Sequence, residues 1–168
     1  MFQINDYIVF GANGVCQITD RRTENFDGTN EREYFVLNPL NARNSTIYAP
    51  TDKSKEKMRN LLKRDQVISL IESIPEEHSE WITDNQARRN QYNQILQIAD
   101  QHELLIMIKA LTERQEELAE IGRKLSAQDT DFKKRAEALI NDEFALVLKI
   151  EPEEVLPFII EHTSEQKS

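Results

Sequence analysis

Cysteine occurs once in the 168 residues, at Cys16, and histidine three times, at His78, His102 and His162. A single cysteine excludes an internal disulfide and any zinc site built on several thiolates, and it fits a reducing compartment. Cys16 lies in the apolar run Val15-Cys16-Gln17-Ile18, where a buried structural thiol is expected rather than a reactive one. The histidines are scattered and none has a glutamate three residues before it, so the Glu-x-x-His pattern of iron-carrying bundles is missing, as is HExxH. No metal ligands and no cofactor are assigned. No apolar run nears the roughly 18 residues of a membrane span, and no basic-then-apolar opening is present. A cytoplasmic protein without membrane contact is expected. Basic residues are outnumbered, and the net charge of −9 argues against a free-standing, high-affinity DNA binder, because phosphate contacts normally supply that affinity.

Glycine is also scarce, and three of the four (Gly11, Gly14, Gly28) fall within the first 28 residues. Gly11-Ala12-Asn13-Gly14 lacks the Lys-Ser/Thr of a phosphate loop and precedes a strand pattern, so it reads as a tight turn. Aromatic and β-branched runs share that part of the chain. They suggest strands at Tyr7 to Phe10, Val15 to Asp20, Glu33 to Leu37 and Thr46 to Ala49, with turns at Gly11 to Gly14, Phe26 to Gly28 and Asn38-Pro39. About fifty residues in four or five short strands bury little, and a small barrel of the SH3 or Tudor kind is the compact solution.

After Pro50 the pattern turns helical and charged. Val67, Ile68, Leu70, Ile71 and Ile74 mark a first helix ended by Pro75, and Ser79 or Glu80 introduces a helix carrying Trp81. Asp100 caps the next, with a seam at Leu104, Ile108, Leu111, Gln115, Leu118, Gly122 and Leu125. Ser126 with Asp129 starts a fourth helix, and Pro152 in a first turn starts a last short one over Val155 to Ile160. The predicted class is α+β in two domains: a small Tudor/SH3-like β-barrel over residues 1–52, a linker over 53–63, an all-α domain of about five helices over 64–162, and a frayed tail over 163–168.

The stretch around the only tryptophan carries the most information. On a helix, Trp81, Arg88 and Tyr92 fall on nearly the same side, with Arg89 adjacent and Ile95, Leu96 and Ala99 continuing the face. A flat apolar ring beside guanidinium groups suits a wedge against stacked bases flanked by phosphate clamps. The same residues also suit a tryptophan that packs on a bundle core. Residues 85–135 carry nine basic and eight acidic side chains, including Arg88-Arg89, Arg123-Lys124 and Lys133-Lys134-Arg135. These are either ordinary solvated helix faces or, if some converge near Trp81, a modest phosphate-facing patch. The carboxylates gather as solvated faces and short runs such as Glu76-Glu77, and nothing points to paired acid/base catalysis. No catalytic residue is assigned, and the chain is not expected to be an enzyme.

Met1-Phe2-Gln3-Ile4-Asn5-Asp6-Tyr7-Ile8-Val9-Phe10, Gly14-Val15-Cys16-Gln17-Ile18, Tyr34-Phe35-Val36-Leu37 and Ile47-Tyr48-Ala49-Pro50 resemble the N-terminal module of the CarD/CdnL family of bacterial transcription regulators. Glu80-Trp81 ahead of Arg88-Arg89, Asp100, and Glu143 to Leu148 running into Glu151 to Pro157 are similar to its clostridial-type members. The resemblance spans about residues 1–162 and rests on the order of these pieces.

It implies a Tudor-like module that binds the RNA polymerase β subunit strand to strand. It also implies a helical domain that meets promoter DNA at the upstream edge of the transcription bubble, its tryptophan wedged into the minor groove. The implied DNA-contacting residues are Trp81, Arg88 and Arg89, although in many relatives the arginines follow the tryptophan more closely than here; Arg123 and Lys124 join them as candidates from the charge pattern alone. The implied polymerase-contacting residues are Tyr34, Val36, Arg43, Ile47 and Tyr48. A monomer associated with the nucleoid through polymerase is expected. The alternative reading is an adaptor that joins polymerase or another protein to a further partner, with Trp81 in the core.

Overall fold

The structure is a computed structural model that describes residues 2–54 and 57–166. The chain forms two compact units, Met1–Leu61 and Leu62–Ser168, each with its own core.

In the first unit β1 (Tyr7–Phe10), β2 (Val15–Glu24), β3 (Arg32–Pro39), β4 (Ile47–Pro50) and β5 (Met58–Asn60) make one antiparallel sheet in the order β4-β3-β2-β1-β5. A three-residue 3-10 turn at Gly11–Asn13 joins β1 to β2, with Gly11 and Gly14 at positive φ as the turn requires. Alternation sends Ile8, Cys16, Ile18, Phe35, Leu37, Ala49 and Met58 to one side, where they form the core. Cys16 is fully buried there and burial pushes its thiol up to about 11, the inert structural thiol expected.

Two expectations need correction. The sheet is open: β4 and β5 are its edges and do not pair, so no closed barrel forms among the described residues. Residues 53–63 are not a free linker, because Met58–Asn60 pairs with β1 (Phe10 opposite Met58, Ile8 opposite Asn60) and Met58 fills the core. The charged run Lys53 to Lys57 hides that strand from sequence patterning, since only one of its three residues is apolar. Of that run, Lys55 and Glu56 lie outside the described residues.

The second unit holds α1 (Arg64–Ser73), α2 (Asn85–Ile98), α3 (Gln101–Glu120), α4 (Ala127–Leu148) and α5 (Pro152–Gln166). The starts of α2, α3 and α4 are set by side-chain caps. Asp84 accepts from Ala87 N at 2.8 Å, Asp100 from Glu103 N at 3.1 Å, and Ser126 from Asp129 N at 3.1 Å. Val67, Ile71, Leu96, Leu104, Met107, Leu111, Phe132, Ile140, Phe144 and Val155 are buried between the helices. The α3 seam stops at Leu111; beyond it no α3 residue is buried, and Gly122 at φ 71° leads the chain away. α5 continues to Gln166, past the point where a frayed tail is expected, and residues 167 and 168 lie outside the described ones.

The buried carboxylate of Glu143 is tied down. Glu143 accepts from Leu62 N at 3.0 Å and from Gln101 Nε2 at 2.8 Å, which fastens the start of the unit to α3 and α4.

Candidate functional site

Trp81 does not lie on a helix. Two caps compete in Ser79-Glu80-Trp81-Ile82-Thr83-Asp84, and Asp84 wins: α2 begins at Asn85, while Ser79 Oγ instead donates to Glu113 Oε2 at 3.0 Å. Trp81 therefore sits half-buried on the connecting segment, four residues ahead of α2. Its expected alignment with Arg88 and Tyr92 on one helix is replaced by a tertiary contact, the Arg88 guanidinium carbon standing 4.4 Å from the centroid of the indole ring.

Arg88 has a different part from the phosphate clamp expected of it. It is 6% exposed and grips Asp129, itself 4% exposed, through Nε to Oδ1 at 2.9 Å and Nη2 to Oδ2 at 3.0 Å. Nη1 donates to the carbonyl of Ile82 at 2.7 Å and Nη2 to Asn85 Oδ1 at 2.8 Å. Four of its five N–H donors are committed within the protein, and the side chain is buried, so Arg88 is poorly placed to clamp a phosphate. Instead it joins α2, the first turn of α4 and the Trp81 segment. Tyr92, one helical turn on, is core, edge-on to Phe132 at 5.5 Å, and burial pushes its phenol up to about 12.

Around the indole the other cations are freer. Arg114, on the exposed end of α3, places its guanidinium 5.5 Å from the ring centroid and pairs with the exposed Glu117 at 3.2 Å. Sequence spacing gave no hint of it, because 33 residues separate it from Trp81. A shallow hollow of about 300 Å³ opens here, lined among others by Trp81, Asn85, Arg114, Leu118, Leu125 and Ser126. Arg123 and Lys124 are exposed on the segment that leads directly into Leu125 and Ser126. Arg89 is exposed on α2 and donates to Gln128 Oε1 at 3.3 Å, beside the Asp129 that holds Arg88. The Lys133-Lys134-Arg135 run does not join this group. Lys133 pairs with Glu137 at 3.2 Å and lines a separate groove with Leu105, Lys109 and Leu156.

One set of metal-donor atoms gathers among the described residues, on Asp100, His102 and Glu103. Its groups are already engaged. Asp100 caps α3, and His102 bridges Glu77 at 3.2 Å and Glu103 at 3.5 Å, contacts with the Glu77 carboxylate foremost that raise its pKa.

In the first unit the expected polymerase-facing residues separate by register. Tyr48 stands opposite Val36 and Tyr34 opposite Pro50, so Tyr34, Val36 and Tyr48 share the face away from the core. Val36 is covered to 6% exposure and is corrected to a buried position, unable to offer its side chain to a partner. β3 is also hydrogen-bonded on both sides, whereas β4 is an edge, so strand-to-strand pairing near these residues is open to β4 alone. Ile47 is half-buried and packs against the core, and Arg43 is exposed in the turn before β4.

An aromatic cluster caps this face. Phe26, 60% exposed, meets Tyr34 at 5.0 Å and Tyr48 at 5.1 Å in edge-to-face geometry. Phe26 escapes a sequence reading because it sits in a turn, where aromatic residues have no periodicity to betray them. The nearby arginines are matched by carboxylates: Arg21 with Glu33 at 2.7 Å, Arg22 with Asp20 at 2.6 Å and Arg32 with Asp52 at 3.2 Å.

A family model described as CarD-like/TRCF RID domain matches residues 2–62, the whole of this sheet unit. Residues 2–62 form a CarD-like RID domain. Domains of this kind interact with the RNA polymerase β subunit. The RID match ends where the helical unit begins. No curated protein matches the chain.

Proposed function

We propose that the chain is a transcription regulator that docks on the RNA polymerase β subunit through its RID domain and stabilises the promoter open complex. The helical unit contacts promoter DNA at the upstream edge of the bubble, in the minor groove. The observation that carries this reading is the placement of Trp81: the only indole in the protein, outside any helix, braced from beneath by buried Arg88 and bordered by Arg114. A braced aromatic ring with cations at its margin suits a wedge at an opened base step. Arg89, Arg123, Lys124 and Arg114 supply the phosphate contacts, and Arg88 supplies the foundation.

Docking answers the charge problem. A protein of net charge −9 holds DNA poorly alone, but attachment to polymerase raises the local concentration of its DNA-facing residues to about the millimolar range of a short tether. A few weak contacts then suffice. Filling a disrupted step is worth about 1–3 kcal/mol, the value of one base stacking on an aromatic ring, and slows bubble collapse by about five- to 150-fold.

The test is the lifetime of open complexes formed by the cognate polymerase with no factor, with the native chain, and with folded Trp81→Ala. A longer lifetime that disappears in the variant supports the proposal. Equal lifetimes throughout, with polymerase binding demonstrated, leave the adaptor reading instead.

A further inference from the structure

The segment between α1 and α2 runs through a 3-10 turn at Ile74–Glu76 and then without regular structure to the Asp84 cap. It is held by polar side chains from α3. His102, Lys109 and Glu113, spaced seven and four residues apart, lie along one face of that helix and each meets the segment. His102 pairs with Glu77 and Glu113 accepts from Ser79. Lys109 does the most: its partly buried ammonium donates to the carbonyls of Ile74 at 3.2 Å, Pro75 at 3.3 Å and Glu77 at 2.6 Å. Those three bonds use all the protons that a lysine ammonium has. They also place a positive charge against the carbonyls that follow the C-terminal end of α1, where a cation is favoured.

We propose that Lys109 is a positioning residue for Trp81, fixing the near end of the segment as Arg88 fixes its far end through Ile82. The inference deepens the function proposed above and rests on it for its consequence, though not for its geometry. A ring held at both ends of its segment meets DNA already ordered. A ring on a segment released at one end must be ordered on binding, at the cost of affinity.

The experiment uses the full chain with Lys109→Met, which keeps the aliphatic stem and removes the donors, and Lys109→Arg, which restores a cationic donor. Trp81 is the only tryptophan, so its quenching by acrylamide and its fluorescence anisotropy report the segment directly. The expected result for Lys109→Met is faster quenching, lower anisotropy and an open-complex lifetime shortened by roughly two- to tenfold, the ordering cost of one large side chain. Lys109→Arg is expected to recover all three. A merely structural lysine would change melting while leaving Trp81 emission and quenching untouched, and that outcome overturns the inference. Should Lys109→Met not fold, Lys109→Gln takes its place and must fall between native and unanchored behaviour; native-like quenching there also overturns it. If the native chain itself fails to lengthen open-complex lifetime, the proposed function fails, while the quenching comparison still decides the role of Lys109.

Discussion

Replacing Arg88 by methionine separates a foundation from a phosphate clamp. The substitution leaves the stem in place and removes four charge-assisted hydrogen bonds: two to Asp129, one to Ile82 O and one to Asn85 Oδ1. Both members of the ion pair are nearly inaccessible to water, so Asp129 is left as a buried carboxylate whose strongest partner is gone, Ser126 Oγ remaining at 3.0 Å. Breaking one side of such a pair costs about 3–5 kcal/mol. That is a large share of the 5–15 kcal/mol that typically holds a domain together. For a unit of this size the midpoint of melting falls by more than about 10 °C.

The measurement is urea unfolding followed by circular dichroism and by Trp81 emission, with Asp129→Leu and the double variant completing the cycle. Removing both charges recovers much of the loss, since a buried pair contributes little net stability over apolar neighbours of similar volume. A surface clamp would behave in the opposite way, costing less than about 0.5 kcal/mol of stability while reducing the salt dependence of DNA binding by about one phosphate contact. That result would refute the part assigned to Arg88.

Three further outcomes are expected. Phe26→Ala leaves the RID domain folded within about 0.5 kcal/mol, because the ring is mostly exposed, yet weakens its binding to the β subunit by about tenfold in a calorimetric titration. Tyr92→Phe does not destabilise the helical unit in a chemical melt, because the buried Tyr92 hydroxyl has no hydrogen-bond partner; a loss above about 1 kcal/mol would contradict this. The pairing of His102 with Glu77, which raises the folded pKa above the ordinary 6.5, contributes stability that is fully present below pH 6.5 and is lost as the pH rises through the raised value. The effect is small because both partners are partly exposed and screened by water. It is read as a flatter stability profile for His102→Gln between pH 6 and 8.

What local rules govern was legible in the sequence. β1 falls over Tyr7–Phe10 as its apolar run predicts, Asp100 caps its helix as expected, and Ser126 caps the next as its spacing to Asp129 implies. The misses occur where tertiary contact overrides a local signal. Met58–Asn60 is a strand because β1 offers it an edge, not because its residues alternate. The α2 start moved to Asp84 because Ser79 found Glu113, 34 residues away. Arg88 and Arg89 are neighbours of identical type, and only the fold decides that one is buried against Asp129 while the other faces water. Arg114 and Phe26 entered their sites through distance in three dimensions, which no spacing rule reports.

The β4 edge spans four residues and ends in Pro50, whose nitrogen carries no proton to donate. A strand laid against it gains only a short ladder, too brief to template the edge-to-edge stacking that longer exposed strands invite. For a factor attached through such an edge, residence time is governed by the aromatic contacts beside the ladder rather than by the ladder itself. Should the RID domain dock strand to strand through this edge, substitutions at Phe26 and Tyr48 are expected to change exchange on and off the partner largely through the dissociation rate, without altering the sheet that carries them.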